Sequence, residues 1–64
     1  MKLYAVPLIV GERRTSLVVS AYNLISAWII AEREIAAQRK SWPALFAGVH
    51  VDTSTLATEL PGLP

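Results

Sequence analysis

Apolar and polar positions along the chain follow two periods, first two and then three to four. From Lys2 to Val10 both alternating sets are apolar: Leu3, Ala5 and Ile9 on one, Tyr4, Val6, Leu8 and Val10 on the other. A β-branched and aromatic run of this length, with Pro7 inside it, predicts a strand and opposes a helix. Pro7 has no N–H for a ladder, so an edge position or a bulge is expected there. Gly11-Glu12-Arg13-Arg14-Thr15 reads as a hairpin loop with the two arginines at its tip. Ser16 to Ala21 is a second strand, with Leu17 and Val19 on one face and Val18 and Ser20 on the other. The period then changes. Leu24, Ala27, Trp28, Ala31 and Ile35 recur at three- and four-residue spacing, which predicts a helix from Asn23 to Lys40.

The helix has recognisable ends. Asn23 is an N-cap whose side-chain oxygen can accept a first-turn N–H. Ser26 holds the position where a capping box would need Glu or Gln. Tyr22, just before the cap, is placed to pack back on the first turn as a staple. Arg39 and Lys40 suit the negative end of the helix dipole. Pro43 opposes continuation and pushes Trp42 toward extended geometry. Ile25, Ile29 and Ile30 fall outside the main stripe. A broad core face under a wide sheet is the simpler expectation for them; a docking surface is the functional one.

Beyond the loop at Ser41 to Ala44, residues 45–55 read as a third strand. Val49, Val51, Thr53 and Thr55 share one face; Gly48, His50, Asp52 and Ser54 share a solvent face. A short helix over residues 53–60 is the weaker alternative. Strand, strand, helix, strand, with a helix of about 27 Å over strands of similar length, is an α+β domain. A right-handed crossover gives the sheet order 2-1-3 with antiparallel neighbours and the helix on one face. Pro7 argues against that order, because it makes the first strand central; a bulge would reconcile the two, and otherwise the third strand lies beside the second and parallel to it. The expectation is a single ββαβ domain over residues 1–56, with a three-stranded, mainly antiparallel sheet and a mobile tail over residues 57–64.

Composition narrows the function. Sixty-four residues bury only about 60% of the unfolded surface. No cysteine is present to staple them, yet 53% of the residues are hydrophobic. That excess points to a protein partner face or a second copy in a homodimer. The net charge of +1 gives no strong field toward nucleic acid or membrane. The apolar run from Ser16 to Ala31 is short of the ~20 residues a spanning helix needs and is flanked by charge, so a small membrane-associated protein is the weaker alternative. The Met1–Val10 stretch has a faint leader-like look, but Glu12-Arg13-Arg14 interrupts it without a small-residue cleavage site. A cytoplasmic protein is the expectation.

Chemistry is mostly excluded. His50, Asp52 and Ser54 share one strand face, but three residues in line do not converge as a catalytic triad must. One histidine and scattered carboxylates make no metal site. Gly11, Gly48 and Gly62 are isolated, so there is no phosphate loop. Glu32 and Glu34 point in different directions on a helix. No enzyme, metal or cofactor is expected. Partner-binding candidates are Tyr4 on the first strand, the Arg13–Arg14 tip, and His50 and Asp52 on the third strand. The arginines also raise nucleic acid as an alternative partner, although a useful binder neutralises roughly six or more phosphates.

The stretch Val18-Val19-Ser20-Ala21-Tyr22-Asn23-Leu24-Ile25-Ser26-Ala27-Trp28-Ile29-Ile30-Ala31 carries a resemblance. It is similar to the strand–helix joint of the small host-RNA-polymerase inhibitors of short-tailed coliphages, which share the strand-strand-helix-strand order. More loosely it resembles the antitoxin half of HicAB toxin–antitoxin pairs. The likeness is one of pattern and spans Leu3 to Thr55. It implies a phage- or plasmid-type protein that binds and inhibits or modulates a host machine. The inhibitors carry an acidic balance and arginines on the last strand. Here that strand holds His50 and Asp52, so no functional residue is transferred.

Overall fold

The computed structural model describes residues 1–61. It contains β1 (Lys2–Val10), β2 (Arg13–Ala21), α1 (Leu24–Ser41), the short α2 (Pro43–Phe46), β3 (Val49–Val51) and β4 (Thr58–Glu59). The sheet runs β2-β1-β3, all antiparallel, and β4 pairs with β1 further along the same side as β3. The α+β architecture and the 2-1-3 order are those expected from the pattern, with a fourth strand added.

The period-two run of β1 divides as its alternation requires. Tyr4, Val6 and Leu8 face α1, joined by Val19 and Ala21 from β2 and Val49 and Val51 from β3. Helix α1 meets them with Ala27, Ala31 and Ile35. Two alanines at the contact let the helix axis sit close to the sheet, and Val6 beneath it is fully enclosed. Asn23 Oδ1 accepts the Ser26 N–H at 2.8 Å, and α1 ends where Trp42 leaves helical geometry ahead of Pro43. Leu24 and Trp28, expected in the core, are half exposed, and Tyr22 is exposed and does not staple the helix.

Several expectations are corrected. The hairpin loop is only Gly11–Glu12, since Val10 already pairs with Arg13. Gly11 takes φ +63°, the left-handed value that a two-residue II′ turn puts on its first central residue. The turn is tied to the start of β3 through Gly11 N–H donating to Gly48 C=O at 2.9 Å. No bulge forms at Pro7, because the β1–β2 register is continuous across Pro7 and Ser16. Within a strand, a residue's N–H and C=O point to the same side. Pro7 C=O accepts from Asp52 N–H at 2.9 Å, so the missing Pro7 donor faces away from β2, toward the gap between β3 and β4. The β1–β2 ladder therefore loses no bond to the proline; the bond forgone is the one Pro7 would return to Asp52, just past β3.

The third strand is three residues, not residues 45–55. Pro43 at the first helical position starts α2, which takes up residues 43–46. At the far end Asp52 captures the following backbone and ends the strand. Thr53 to Ala57 then form an excursion in place of the alternative helix, and Thr58–Glu59 return as β4 inside the expected tail. The exposed Lys2–Glu59 ion pair, 3.3 Å, borders β4. The rest of that tail, residues 62–64, lies outside the described residues.

Candidate interaction surface

The residues singled out in the sequence do not converge. Tyr4 is 3% exposed and belongs to the core under α1, so it offers no surface to a partner. Both faces of β1 are apolar, and only the helix decides which one is covered. Arg13 and Arg14 open β2 instead of capping a loop, and they alternate to opposite faces of the sheet. Arg14 pairs with Ile9, and Ile9 pairs with His50, so Arg14 and His50 flank Ile9 in one row on the open face.

Asp52 is 5% exposed and serves the fold. Its Oδ1 accepts from Ser54 Oγ at 2.6 Å and from Ser54 N–H at 3.0 Å, and its Oδ2 accepts from Thr55 Oγ1 at 3.0 Å. These bonds, the Ser54 hydroxyl first, hold the carboxyl below its ordinary pKa. The Arg14 charge adds to them, and partial desolvation opposes them. The bonds form an Asx-type turn, in which a short acidic side chain supplies the acceptor that ends a strand. His50 is not among its partners, so the His50–Asp52–Ser54 row does not form a catalytic arrangement.

The basic pair at the end of α1 also divides. Arg39 reaches down to donate from Nη2 to Val49 C=O at 2.6 Å and from Nε to Phe46 C=O at 3.4 Å. It clamps α2 and β3 to the helix. Lys40 stays exposed.

What the structure does bring together is apolar. The N-terminal half of α1 and the 53–57 excursion form the walls of a groove of about 230 Å³. Leu24, Ile25 and Trp28 line one side, Leu56 and Ala57 the other, with Val6 and Pro7 at its base. Ile25 is 71% and Leu56 81% exposed. Besides the Trp28 indole, the polar side chains of its lining are Thr53 and Thr55. Its lining is otherwise apolar and includes no carboxylate and no imidazole. Among the described residues no cluster of His, Cys, Asp or Glu could hold a metal ion, and no helix is long and apolar enough to cross a membrane.

Compared with protein-family models, curated proteins and solved structures, the chain matches none of them. The surface is therefore defined by its own chemistry. One sequence signal pointed to it: Ile25, Ile29 and Ile30 lie off the core stripe, and all three remain exposed. The broad core face expected for them does not form, because a narrow sheet covers only the Ala27–Ala31–Ile35 line. Leu56 carried no such signal, since its role depends on the turn at Asp52.

Proposed function

We propose that this chain is a non-enzymatic interaction module whose partner protein docks on the groove between α1 and the 53–57 excursion. The observation that carries this reading is the continuous exposure of Leu24, Ile25, Trp28 and Leu56 around one groove. Isolated surface apolar residues are ordinary, but a contiguous cluster on so small a body marks a contact surface. Trp28 on the groove wall is of the residue type most enriched among interface hot spots. The pattern-level resemblance to the phage inhibitors supports a role in binding and inhibiting or modulating a host machine. Bacterial RNA polymerase is the first such machine to test.

Nucleic acid is supported less well. Arg13 and Arg14 face opposite sides of the sheet, Arg39 is engaged by backbone carbonyls, and Lys2 is paired with Glu59. No stripe of free cations results among the described residues.

The test is affinity capture from a bacterial lysate, together with in vitro transcription by purified bacterial RNA polymerase. Wild type is compared with Ile25→Glu and Leu56→Glu. A defined protein retained by wild type and lost by both variants supports the reading. Retention of nucleic acid instead, weakened by salt and by Arg13→Ala with Arg14→Ala, overturns it.

A further inference from the structure

The two lateral edges of the sheet are treated differently. On the β3/β4 side the edge is broken into two short strands on either side of Pro7. There Val49 turns its carbonyl outward, and Arg39 occupies it. On the other side β2 runs nine residues in unbroken register with β1, and among the described residues it pairs with no other strand. It contains no proline and no bulge, two of the devices that blunt a sheet edge.

The register shows which groups are free. Leu3 and Pro7 direct their carbonyls toward β4 and β3, so the even-numbered residues of β1 face β2. Their partners Leu17 and Val19 point inward to β1. The N–H and C=O groups of Arg14, Ser16, Val18 and Ser20 therefore point outward.

We propose that β2 pairs antiparallel with β2 of a second copy, about a two-fold axis at Leu17, joining two sheets into one. This interface lies away from the groove and does not depend on the function assigned to it. Any strand matches that alternation; a second copy's β2 is favoured because a chain 53% hydrophobic and without a cysteine staple gains burial by doubling its sheet. In a symmetric antiparallel pair, only the register centred on Leu17 joins all four with one another. Arg14 of one copy meets Ser20 of the other, and Ser16 meets Val18. The Arg13–Arg14 pairs then sit at opposite ends of the seam, so no like charges oppose each other. Directly opposed residues share a face, which puts both α1 helices on one side of the joined sheet. Ile30 lies about 140° round α1 from Ile25, on the flank away from the groove. The open faces, each with Leu3, Ala5, Ile9 and Val18, become continuous. Self-complementarity of one patch is what a two-fold dimer requires.

The test uses the whole chain. Sedimentation equilibrium should show a dimer at tens of micromolar. Val18→Pro removes an outward N–H and leaves the β1 ladder its donors, so it should give a folded monomer by circular dichroism. The chain has no cysteine, so Leu17→Cys gives a clean register test. The two Leu17 positions form a non-hydrogen-bonded pair with Cα atoms about 4.5 Å apart, within disulfide range. Mild oxidation should cross-link Leu17→Cys to near completion, and Val18→Cys at least tenfold less. A wild type that stays monomeric overturns the proposal and leaves the edge to a strand from another protein. A dimer that persists in folded Val18→Pro, or that cross-links no better through Leu17→Cys than through Val18→Cys, overturns it too. If Val18→Pro fails to fold, the cross-linking comparison decides. Ile25→Glu should keep the dimer, which separates this outcome from failure of the groove reading.

Discussion

Arg39 is the side chain whose removal tests the packing most directly. Its guanidinium donates to the edge carbonyl of Val49 at 2.6 Å and makes a longer contact to Phe46 C=O at 3.4 Å. A hydrogen bond from a charged donor contributes about 1.5–3 kcal/mol, and the longer contact adds little. In Arg39→Ala the Val49 carbonyl, at the sheet edge, regains some water, which keeps the loss near the lower half of that range, about 2 kcal/mol. A chain of this size has on the order of 3–10 kcal/mol in total. With a urea slope of about 1 kcal/mol per molar, the unfolding midpoint should fall by about 2 M. Arg39→Lys should recover only about half, because a single ammonium cannot span two carbonyls as the planar fork does. Lys40→Ala, one residue on and exposed, should cost less than about 0.5 kcal/mol. The assay is urea unfolding followed by helical circular dichroism at one fixed protein concentration. An Arg39→Ala midpoint no lower than that of Lys40→Ala would refute the clamp.

Two further outcomes follow from local geometry. Gly11→Ala meets no steric neighbour but forces an L-residue to φ +63°, so it should cost about 1–2 kcal/mol; a thermal midpoint lowered by less than about 2 °C would be too small for that strain. The depressed Asp52 carboxyl contributes stability that is complete above its ordinary value near 3.8 and is lost as pH falls below it, through the folded-state value. Urea midpoints from pH 7 down to pH 2.5 should therefore drop more steeply for wild type than for Asp52→Asn below about pH 4; parallel curves would remove Asp52 from the acid response.

Much of the fold was legible because short periods carry it. Tyr4, Val6 and Leu8 alternate, and Ala27, Ala31 and Ile35 keep helical spacing. Asn23 and Pro43 bracket the helix, and a right-handed crossover favours the 2-1-3 order, while Pro7 leaves a third strand parallel to the second as the alternative. The losses share a cause: side chains that act on distant or following backbone. Asp52 reads as one more alternating strand residue until its carboxylate is seen holding Ser54 and Thr55. Arg39 reads as a cation for the helix dipole, and only the return of β3 beneath it supplies carbonyls to bind. Tyr4 looked available because β1 is apolar on both faces, and alternation alone does not say which face the helix takes. The groove was half visible, in the off-stripe Ile25, and half hidden, in Leu56.

The proline at the centre of β1 sets how opening spreads through the domain. β3 and β4 share one side of the same strand but are separated where Pro7 offers no donor, so fraying of one is not relayed to the other. β4 rests on the pairs Tyr4–Glu59 and Ala5–Thr58 and on an exposed ion pair, so it can peel away while β3, clamped from above by Arg39, stays seated. Amide exchange should register this as two populations along a single strand, with Ala5 released early and Ile9 late.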